Sequence, residues 1–185
     1  MKGNVFVISG PSGAGKGTLV KEILKEDESL ALSISCTTRA PRDGEREGEA
    51  YFFLTRKDFK RKIKAGEFIE WNKHFGNFYG TPKSYVYDQL EQGKNVILEI
   101  EMVGGLHCKE LIPEAVLIFI APPSKEELVR RLAGRGSESK RKIKQRLKRM
   151  EFELAQEEKY DYVVVNDDLK TATRELLDII RKYKV

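Results

Sequence analysis

An apolar strand pattern runs directly into a glycine-rich turn near the start of the chain, and this feature constrains the fold more than any other. The run from Val5 to Ser9 reads VFVIS and is apolar up to its last residue, as in parallel strands that are buried on both faces. A helical pattern follows the turn from about residue 16 to residue 25. A strand, a glycine loop and a helix in this order predict the first unit of a parallel α/β sheet.

Further apolar runs alternate with helical patterns later in the chain, at residues 96–100, 115–120 and 162–165. Such alternation is typical of βαβ units in a parallel sheet. A chain of 185 residues fits one compact domain. We therefore predict a single α/β domain with helices on both faces of its core sheet, built from residues 1–32, 82–133 and 150–185.

The pattern changes twice between these core segments. Residues 33–81 contain short segments rich in aromatic residues, Gly and Pro, which favour a small mixed sheet inserted into the core. Within this insert, residues 55–64 have a helical pattern, and Thr55 with Asp58 resembles a capping box. Residues 134–149 pass from a Gly- and Ser-containing stretch into a basic helical pattern, which we interpret as a helical lid.

The turn after the first strand has the pattern of a phosphate-binding loop, or P-loop. Glycines let successive backbone N–H groups surround phosphate oxygens, and the N-terminus of the following helix adds a positive dipole. Lys16 can reach the β- and γ-phosphates of a bound ATP, and we predict that it is catalytic. The residues expected to bind ATP here are Gly10, Pro11, Ser12, Gly13, Ala14, Gly15, Lys16, Gly17 and Thr18.

The residue after Lys16 departs from the strict P-loop pattern. That pattern places Ser or Thr after the lysine as a Mg²⁺ ligand, whereas this chain has Gly17, with Thr18 next. The Gly-Lys-Gly-Thr run resembles that of adenylate kinases, which implies a variant found in nucleoside monophosphate kinases. We therefore expect Mg²⁺ to be a cofactor that is held mainly by phosphates and waters.

Composition limits the partners and the compartment. The net charge of +5 and the sequence pI of about 9.1 suggest polyanionic partners, either nucleic acid or nucleoside phosphates. No apolar run approaches the roughly 20 residues that cross a bilayer, and the first residues lack a signal-peptide pattern, so we expect a cytoplasmic protein with no membrane partner. Cys36 and Cys108 show no disulfide or metal spacing, and we expect both to be reduced and buried.

Groups of residues outside the loop resemble the guanylate kinase family, and together they span essentially the whole chain. The groups are SISCTTRAPR at 33–42 followed by Gly44, Glu45, Gly48 and Tyr51, EFIEW at 67–71, GNFYGT at 76–81, IAPPS at 120–124 and VNDDL at 165–169. This resemblance implies an α/β P-loop core, a GMP-binding insert and a lid. It also implies transfer of the γ-phosphoryl group of ATP to GMP.

The chemistry of GMP suits two arginines and one carboxylate of the insert. Arg39 and Arg42 could clamp its dianionic phosphate with planar guanidinium groups, and we predict that Arg42 is also catalytic. Guanine, unlike adenine, presents N1–H and N2–H donors on its pairing edge, and the carboxylate of Glu70 could accept them. By resemblance, the phosphate is also bound by Tyr51 and Tyr79, and the base by Ser35 and Thr81.

Two carboxylates stand at the end of the apolar run at residues 96–100. Glu99 and Glu101 alternate, so we expect their side chains on one face, near the strand edge where ligands bind in open α/β sheets. Guanylate kinases usually have Asp at the second position and often Gln two residues later, whereas this chain has Glu101 and Val103. We assign Glu99 to GMP binding and Glu101 to the water shell of Mg²⁺.

The same resemblance implies residues of the ATP site and the lid. Phosphoryl transfer spreads negative charge over its transition state, so arginines brought by a closing lid suit the reaction. Arg135 and Arg146 occupy the family's lid positions, and we predict that both are catalytic. The further residues expected at the ATP site are Arg131, Arg135 and Asn166.

Three alternative functions stay open. A guanylate-kinase-like interaction module would bind phosphorylated or acidic peptides, although such relatives typically lose the loop lysine. A nucleic-acid-binding ATPase would fit the basic pI, but the sequence lacks an aromatic-and-basic binding motif, and we expect no nucleic acid partner. A kinase for another nucleotide is the third alternative. A monomer and a homodimer are both compatible with the sequence.

Overall fold

The computed structural model describes residues 3–74, 76–133 and 152–183. The strands are β1 (Val5–Ser9), β2 (Leu30–Leu32), β3 (Cys36–Thr37), β4 (Phe52–Phe53), β5 (Phe68–His74), β6 (Asn77–Pro82), β7 (Asn95–Glu99), β8 (Val116–Ala121) and β9 (Tyr162–Val165). The α-helices are α1 (Lys16–Glu26), α2 (Arg56–Lys64), α3 (Lys83–Glu91), α4 (Met102–Leu111), α5 (Lys125–Ala133) and α6 (Leu169–Arg181). The strands form two sheets.

The larger sheet has five parallel strands in the order β2-β7-β1-β8-β9. Every residue of β1 is buried, because helices cover both faces. Phe6 and Ile8 point to one face, where they pack with apolar residues of α1 and α6. Val5 and Val7 point to the other face, toward α3 and α4. The predicted α/β core with helices on both faces is therefore confirmed.

The smaller sheet is mixed, with strand order β4-β3-β6-β5, as the sequence predicts for the insert. Its own apolar centre is Phe59 of α2, which stacks on Phe68 at 4.6 Å and on Phe78 at 5.4 Å between ring centroids. Thr55 caps α2 by accepting a hydrogen bond from the Asp58 N–H, as predicted. The hydroxyl of Thr55 also donates to the carboxylate of Asp58 at 2.6 Å.

The predicted strand and helix boundaries differ from the observed ones by one residue at most. β7 ends at Glu99 rather than at residue 100, and α1 ends at Glu26. Glu101 consequently does not belong to the strand that carries Glu99, which corrects the expectation that both extend from one strand, and it instead precedes α4 as its N-cap residue. The predicted lid, 134–149, lies outside the described residues.

Both cysteines are buried and free, as expected. Burial raises the pKa of the Cys36 thiol to about 11 and that of Cys108 to about 12, so neither forms a reactive thiolate near neutral pH. None of the helices in the described ranges is long and apolar enough to cross a bilayer.

Candidate active site

The glycine-rich loop joins β1 to α1 in a conformation that only glycine adopts readily. Gly10, Gly13 and Gly15 have φ values of 147°, 93° and 90°. A Cβ atom on Gly10 would lie 2.2 Å from the carbonyl oxygen of Ile120 on the neighbouring strand. Helix α1 begins at Lys16, so its N-terminus opens directly onto the loop. This arrangement is suited to binding phosphate.

The ammonium group of Lys16 lies over the loop itself. Its Nζ donates to the carbonyl oxygen of Gly10 at 2.6 Å and to that of Pro11 at 3.1 Å. A positive charge is thereby held beside the loop, where the phosphates of a nucleotide would bind. The loop thus joins the first strand to the first helix, and Lys16 begins that helix, as the sequence predicts.

Asn166 supports the loop from the end of β9, a role that sequence reasoning missed. This buried side chain donates from Nδ2 to the carbonyl oxygen of Ala14 at 2.7 Å. A Cβ atom on Gly15 would lie 2.3 Å from the same nitrogen. Arg131 donates to the carbonyl oxygen of Asn166 at 3.1 Å, and to Glu127 at 2.8 Å. The predicted contacts of Arg131 and Asn166 with ATP stay predictions.

A second polar cluster, in the insert, surrounds Arg39. Its guanidinium group forms two hydrogen bonds of 2.9 Å with the carboxylate of Glu45 and lies 5.3 Å from the centroid of the Tyr51 ring. The Tyr51 and Tyr79 rings meet edge-on at 6.0 Å. Arg42 donates its backbone N–H to Glu45 at 2.8 Å, whereas its side chain is exposed. The structure therefore groups the four residues that were predicted to bind the acceptor phosphate.

Glu45 was part of the family pattern, but sequence reasoning gave it no role. The hydrogen-bonded ion pair with Arg39 lowers the pKa of Glu45, so this carboxylate stays charged over a wide pH range. It fixes the Arg39 side chain and the backbone of Arg42 at the same time. No sequence signal beyond its spacing from these arginines could have identified that contact.

Glu70 and Thr81 lie opposite each other on β5 and β6. The Thr81 hydroxyl donates to Glu70 Oε1 at 2.7 Å, whereas Oε2 has no hydrogen-bond partner among the described residues. Only 4% of Glu70 is exposed, and burial raises the pKa of its carboxyl group. Ser35 is half-buried just before β3, and its role at the base stays a prediction. The insert therefore holds a buried acceptor oxygen that is free to accept a hydrogen bond.

Glu99 lies between the phosphate loop and the Arg39 cluster. One carboxyl oxygen is 3.4 Å from the position of a Cβ atom on Gly17. The residue as a whole is exposed, but nearby protein partly desolvates its carboxyl group, which raises the pKa of Glu99. The positive charges of Lys16 and Lys21 act in the opposite direction and lower that pKa. The charge of Glu99 also raises the pKa of Tyr51, after desolvation of that phenol. The two clusters thus converge on Glu99.

Glu101 has different neighbours. It is close enough to Glu70 to raise the pKa of that carboxyl group by like-charge repulsion, an effect smaller than that of burial. Glu99 is thus the carboxylate beside the phosphate loop, whereas Glu101 is within electrostatic range of Glu70. The roles assigned from the sequence, Glu99 in GMP binding and Glu101 in the water shell of Mg²⁺, stay predictions. Arg135 and Arg146 lie outside the described residues.

A parallel α/β sheet with a glycine loop and lysine after its first strand defines a P-loop nucleotide-binding protein. The insert adds a second polar site that faces the loop across Glu99. Comparison with known proteins identifies the family within this class.

The family model described as Guanylate kinase matches residues 2–183. A guanylate kinase of Clostridioides difficile strain 630 is 48% identical over 183 residues, which cover 99% of this chain and 89% of the relative. One from Caldanaerobacter subterraneus subsp. tengcongensis is 49% identical over 179 residues, covering 97% and 87% of the two chains. The crystal structure of guanylate kinase from Anaplasma phagocytophilum, 36% identical, aligns with a TM-score of 0.81 over 100% of this chain and 87% of that chain. The chain belongs to the guanylate kinase family.

Proposed function

We propose that this protein transfers the γ-phosphoryl group of ATP to GMP, giving ADP and GDP, and that it accepts dGMP as well. The observation that carries the proposal is the buried carboxylate of Glu70, whose Oε2 lacks a hydrogen-bond partner within the described residues. Family membership supports the same reaction, since the relatives are named guanylate kinases.

Guanine suits this carboxylate better than adenine does. A buried acceptor left without a donor costs about 1–3 kcal/mol, and more when it is charged. The N1–H and N2–H groups of guanine would supply donors to Glu70, while Thr81 holds the other carboxylate oxygen. Adenine would place an acceptor nitrogen against the same carboxylate. A polar mismatch of this kind discriminates by roughly 10⁴-fold.

The remaining predicted residues divide between the two phosphate groups. Arg39, Tyr51 and Tyr79 lie together and bind the phosphate of GMP in this proposal. The exposed side chain of Arg42 can turn toward the same phosphate. Lys16 and the loop hold the phosphates of ATP. Transfer is direct and in line, because aligned phosphates and fixed positive charge are what this reaction needs from a protein. No covalent intermediate with the enzyme is required.

We assign the lid to residues 134–149 and expect Arg135 and Arg146 to act from it on the transferred phosphoryl group. The insert, 33–81, binds GMP, and the remaining segments form the core. The substrates are free nucleotides, and we place the reaction in the cytoplasm, carried out by a monomer or a homodimer without nucleic acid or membrane.

Mg²⁺ is proposed to enter with ATP. Among the described residues no cluster of three or more His, Cys, Asp or Glu forms a metal site, and Gly17 offers no hydroxyl ligand after Lys16. This donor set fits Mg²⁺, which keeps several waters and relies on phosphates for its other ligands. When bound with ATP, Mg²⁺ would neutralise charge on the phosphates. We assign the water shell of the metal to Glu99 in place of Glu101, because the Glu99 carboxylate lies close to Gly17 of the loop.

A nucleotide-specificity assay tests the proposal. ADP formation from ATP is measured with GMP, dGMP, AMP, CMP or UMP as acceptor, and we expect GMP and dGMP to be phosphorylated far faster than the others. The difference in kcat/KM between GMP and AMP should reach roughly 10⁴-fold. Equal rates with GMP and AMP would remove Glu70 from base selection.

A further inference from the structure

The carboxylate of Glu70 lies against a place in helix α4 where a side chain is missing. A Cβ atom on Gly104 would lie 2.7 Å from Glu70 Oε2, 3.1 Å from Cδ and 3.4 Å from Cγ. Gly104 is buried in the first turn of a core helix, while Glu70 belongs to β5 of the insert. The absence of a side chain at this glycine of the core therefore leaves room for a carboxylate of the insert.

The carboxylate of Glu70 has little freedom to move away from Gly104. Thr81 holds Oε1 at 2.7 Å from the neighbouring strand, and only 4% of the Glu70 side chain and backbone together is exposed. A methyl group at position 104 would therefore displace Oε2, the oxygen that is free to accept a hydrogen bond, or break the contact with Thr81.

We propose that Gly104 is a specificity-determining positioning residue: by lacking a side chain, it sets the position of the Glu70 carboxylate and hence the preference for a purine with a 2-amino group. This inference rests on the proposed function. Gly104 acts through Glu70 and does not need to touch the base.

The test substitutes Gly104→Ala and compares kcat/KM for GMP with that for IMP, which has the N1–H donor of guanine but lacks the 2-amino group. A displacement of about 1 Å at a binding group can reduce the rate about 100-fold, so we expect a loss of this order with GMP. The ratio of kcat/KM for GMP to that for IMP should fall roughly tenfold, because GMP loses one more hydrogen bond to a charged group than IMP does. The KM for ATP should stay unchanged.

Gly105→Ala is the matched control. It introduces the same methyl group at the next position of the same helix, but that group would meet the core, at 3.1 Å from Ser9 Oγ and Val7 Cγ1 and 3.2 Å from Tyr160 Oη. We expect this variant to lose thermal stability and to keep the GMP-to-IMP ratio of the wild type. An equal loss of selectivity in both variants would show a general effect of disturbing α4 and would overturn the inference.

Shortening the carboxylate gives a second, independent test. In a Glu70→Asp background the side chain is one methylene shorter, so adding Gly104→Ala should change kcat/KM for GMP by less than about threefold, against the much larger loss in the wild-type background. If Gly104→Ala alone does not fold, thermal unfolding of the double variant Glu70→Ala/Gly104→Ala is measured instead. The double variant should fold, because the carboxylate that the new methyl group would meet is removed. A double variant that also fails to fold contradicts the inference.

Wild-type kinetics separate this inference from the proposed function. If the wild type does not phosphorylate GMP, the proposed function is wrong and the inference fails with it. If the wild type prefers GMP to IMP and Gly104→Ala keeps the same ratio, only the inference about Gly104 is wrong.

Discussion

A carboxylate that is almost fully buried needs hydrogen-bond donors, and Glu70 has the Thr81 hydroxyl at only one of its two oxygens within the described residues. Burial raises the pKa of its carboxyl group, and the charge of Glu101 adds to that effect, while the Thr81 bonds and the more distant His107 oppose it. The protonated form cannot accept hydrogen bonds at both oxygens from a guanine base. In the proposed function, recognition of GMP therefore depends on keeping Glu70 ionised.

We predict that GMP binding weakens as the pH falls, starting above the pH range in which an ordinary glutamate is protonated. The pKa of Glu70 lies above its usual value, so the carboxylate is present above that raised pKa and is lost below it. Below the pKa, the KM for GMP should rise by about tenfold per pH unit, in proportion to the lost carboxylate fraction. Steady-state kinetics over a pH series measure this dependence.

Glu70→Gln is the control for that pH series, since it shares every other titrating group with the wild type, including the phosphate of GMP. The variant should bind GMP weakly with a flatter pH profile, and His107→Gln should shift the wild-type profile slightly upward in pH because a positive charge is removed. Identical profiles for the wild type and Glu70→Gln would show that Glu70 does not titrate in the complex.

Residue types and spacing single out Lys16, Arg39 and Glu70 as candidate site residues, and the family resemblance adds Thr81; their roles stay predictions. Residue types and spacing were not enough for Glu45 or for the loop-supporting amide of Asn166. The amide of Asn166 bonds to Ala14, a contact across 152 residues that only the folded chain brings together. Long-range contacts of this kind leave no local pattern in the sequence.

At the scale of the elements, the phosphate loop depends on both neighbours of β1 in the sheet. β1 pairs with β7 on one side and with β8 on the other, so that Glu99 and Ile120 both end beside the loop. Asn166 follows β9, the next strand along, and donates to the loop. The loop that precedes Lys16 thus lies against the ends of three strands besides β1.

Lys16→Met should reduce kcat about 100- to 1,000-fold, because it removes a fixed positive charge at the phosphates of ATP. GMP affinity should stay close to that of the wild type, since the acceptor cluster belongs to the insert. Coupled kinetics and calorimetric GMP binding measure the two effects separately. Lys25→Met, an exposed lysine at the end of the same helix, is the control and should behave like the wild type. Normal turnover of Lys16→Met would exclude the loop from the reaction.

Long elements could be predicted from the sequence, and the shortest ones could not. The buried core strands and the capped helix α2 were recognised because apolar runs and the Thr55 cap are local signals. β3 and β4 contain two residues each and exist only through pairing in the smaller sheet, which no periodicity reports. The strand end after Glu99 was missed for a related reason, since Ile100 is as apolar as the strand before it.

For the whole molecule, the fold class followed from alternating strands and helices, but the orientation of the two sites did not. The structure places Glu99 within electrostatic range of both Lys16 and Tyr51, and Glu101 within electrostatic range of Glu70. The roles assigned to these two carboxylates from the sequence stay predictions, because position along a strand does not specify what the opposite sheet brings near it. In the proposed function, the insert selects guanine through Glu70 and presents the phosphate of GMP to the loop.

A crystal structure of the protein with GMP and a non-hydrolysable ATP analogue tests that claim most directly. We predict the N1 and N2 atoms of guanine within hydrogen-bond distance of the Glu70 carboxylate, and the GMP phosphate among Arg39, Arg42, Tyr51 and Tyr79, facing the γ-phosphate held by Lys16. A purine bound away from Glu70, or a GMP phosphate that contacts neither arginine, would contradict the account.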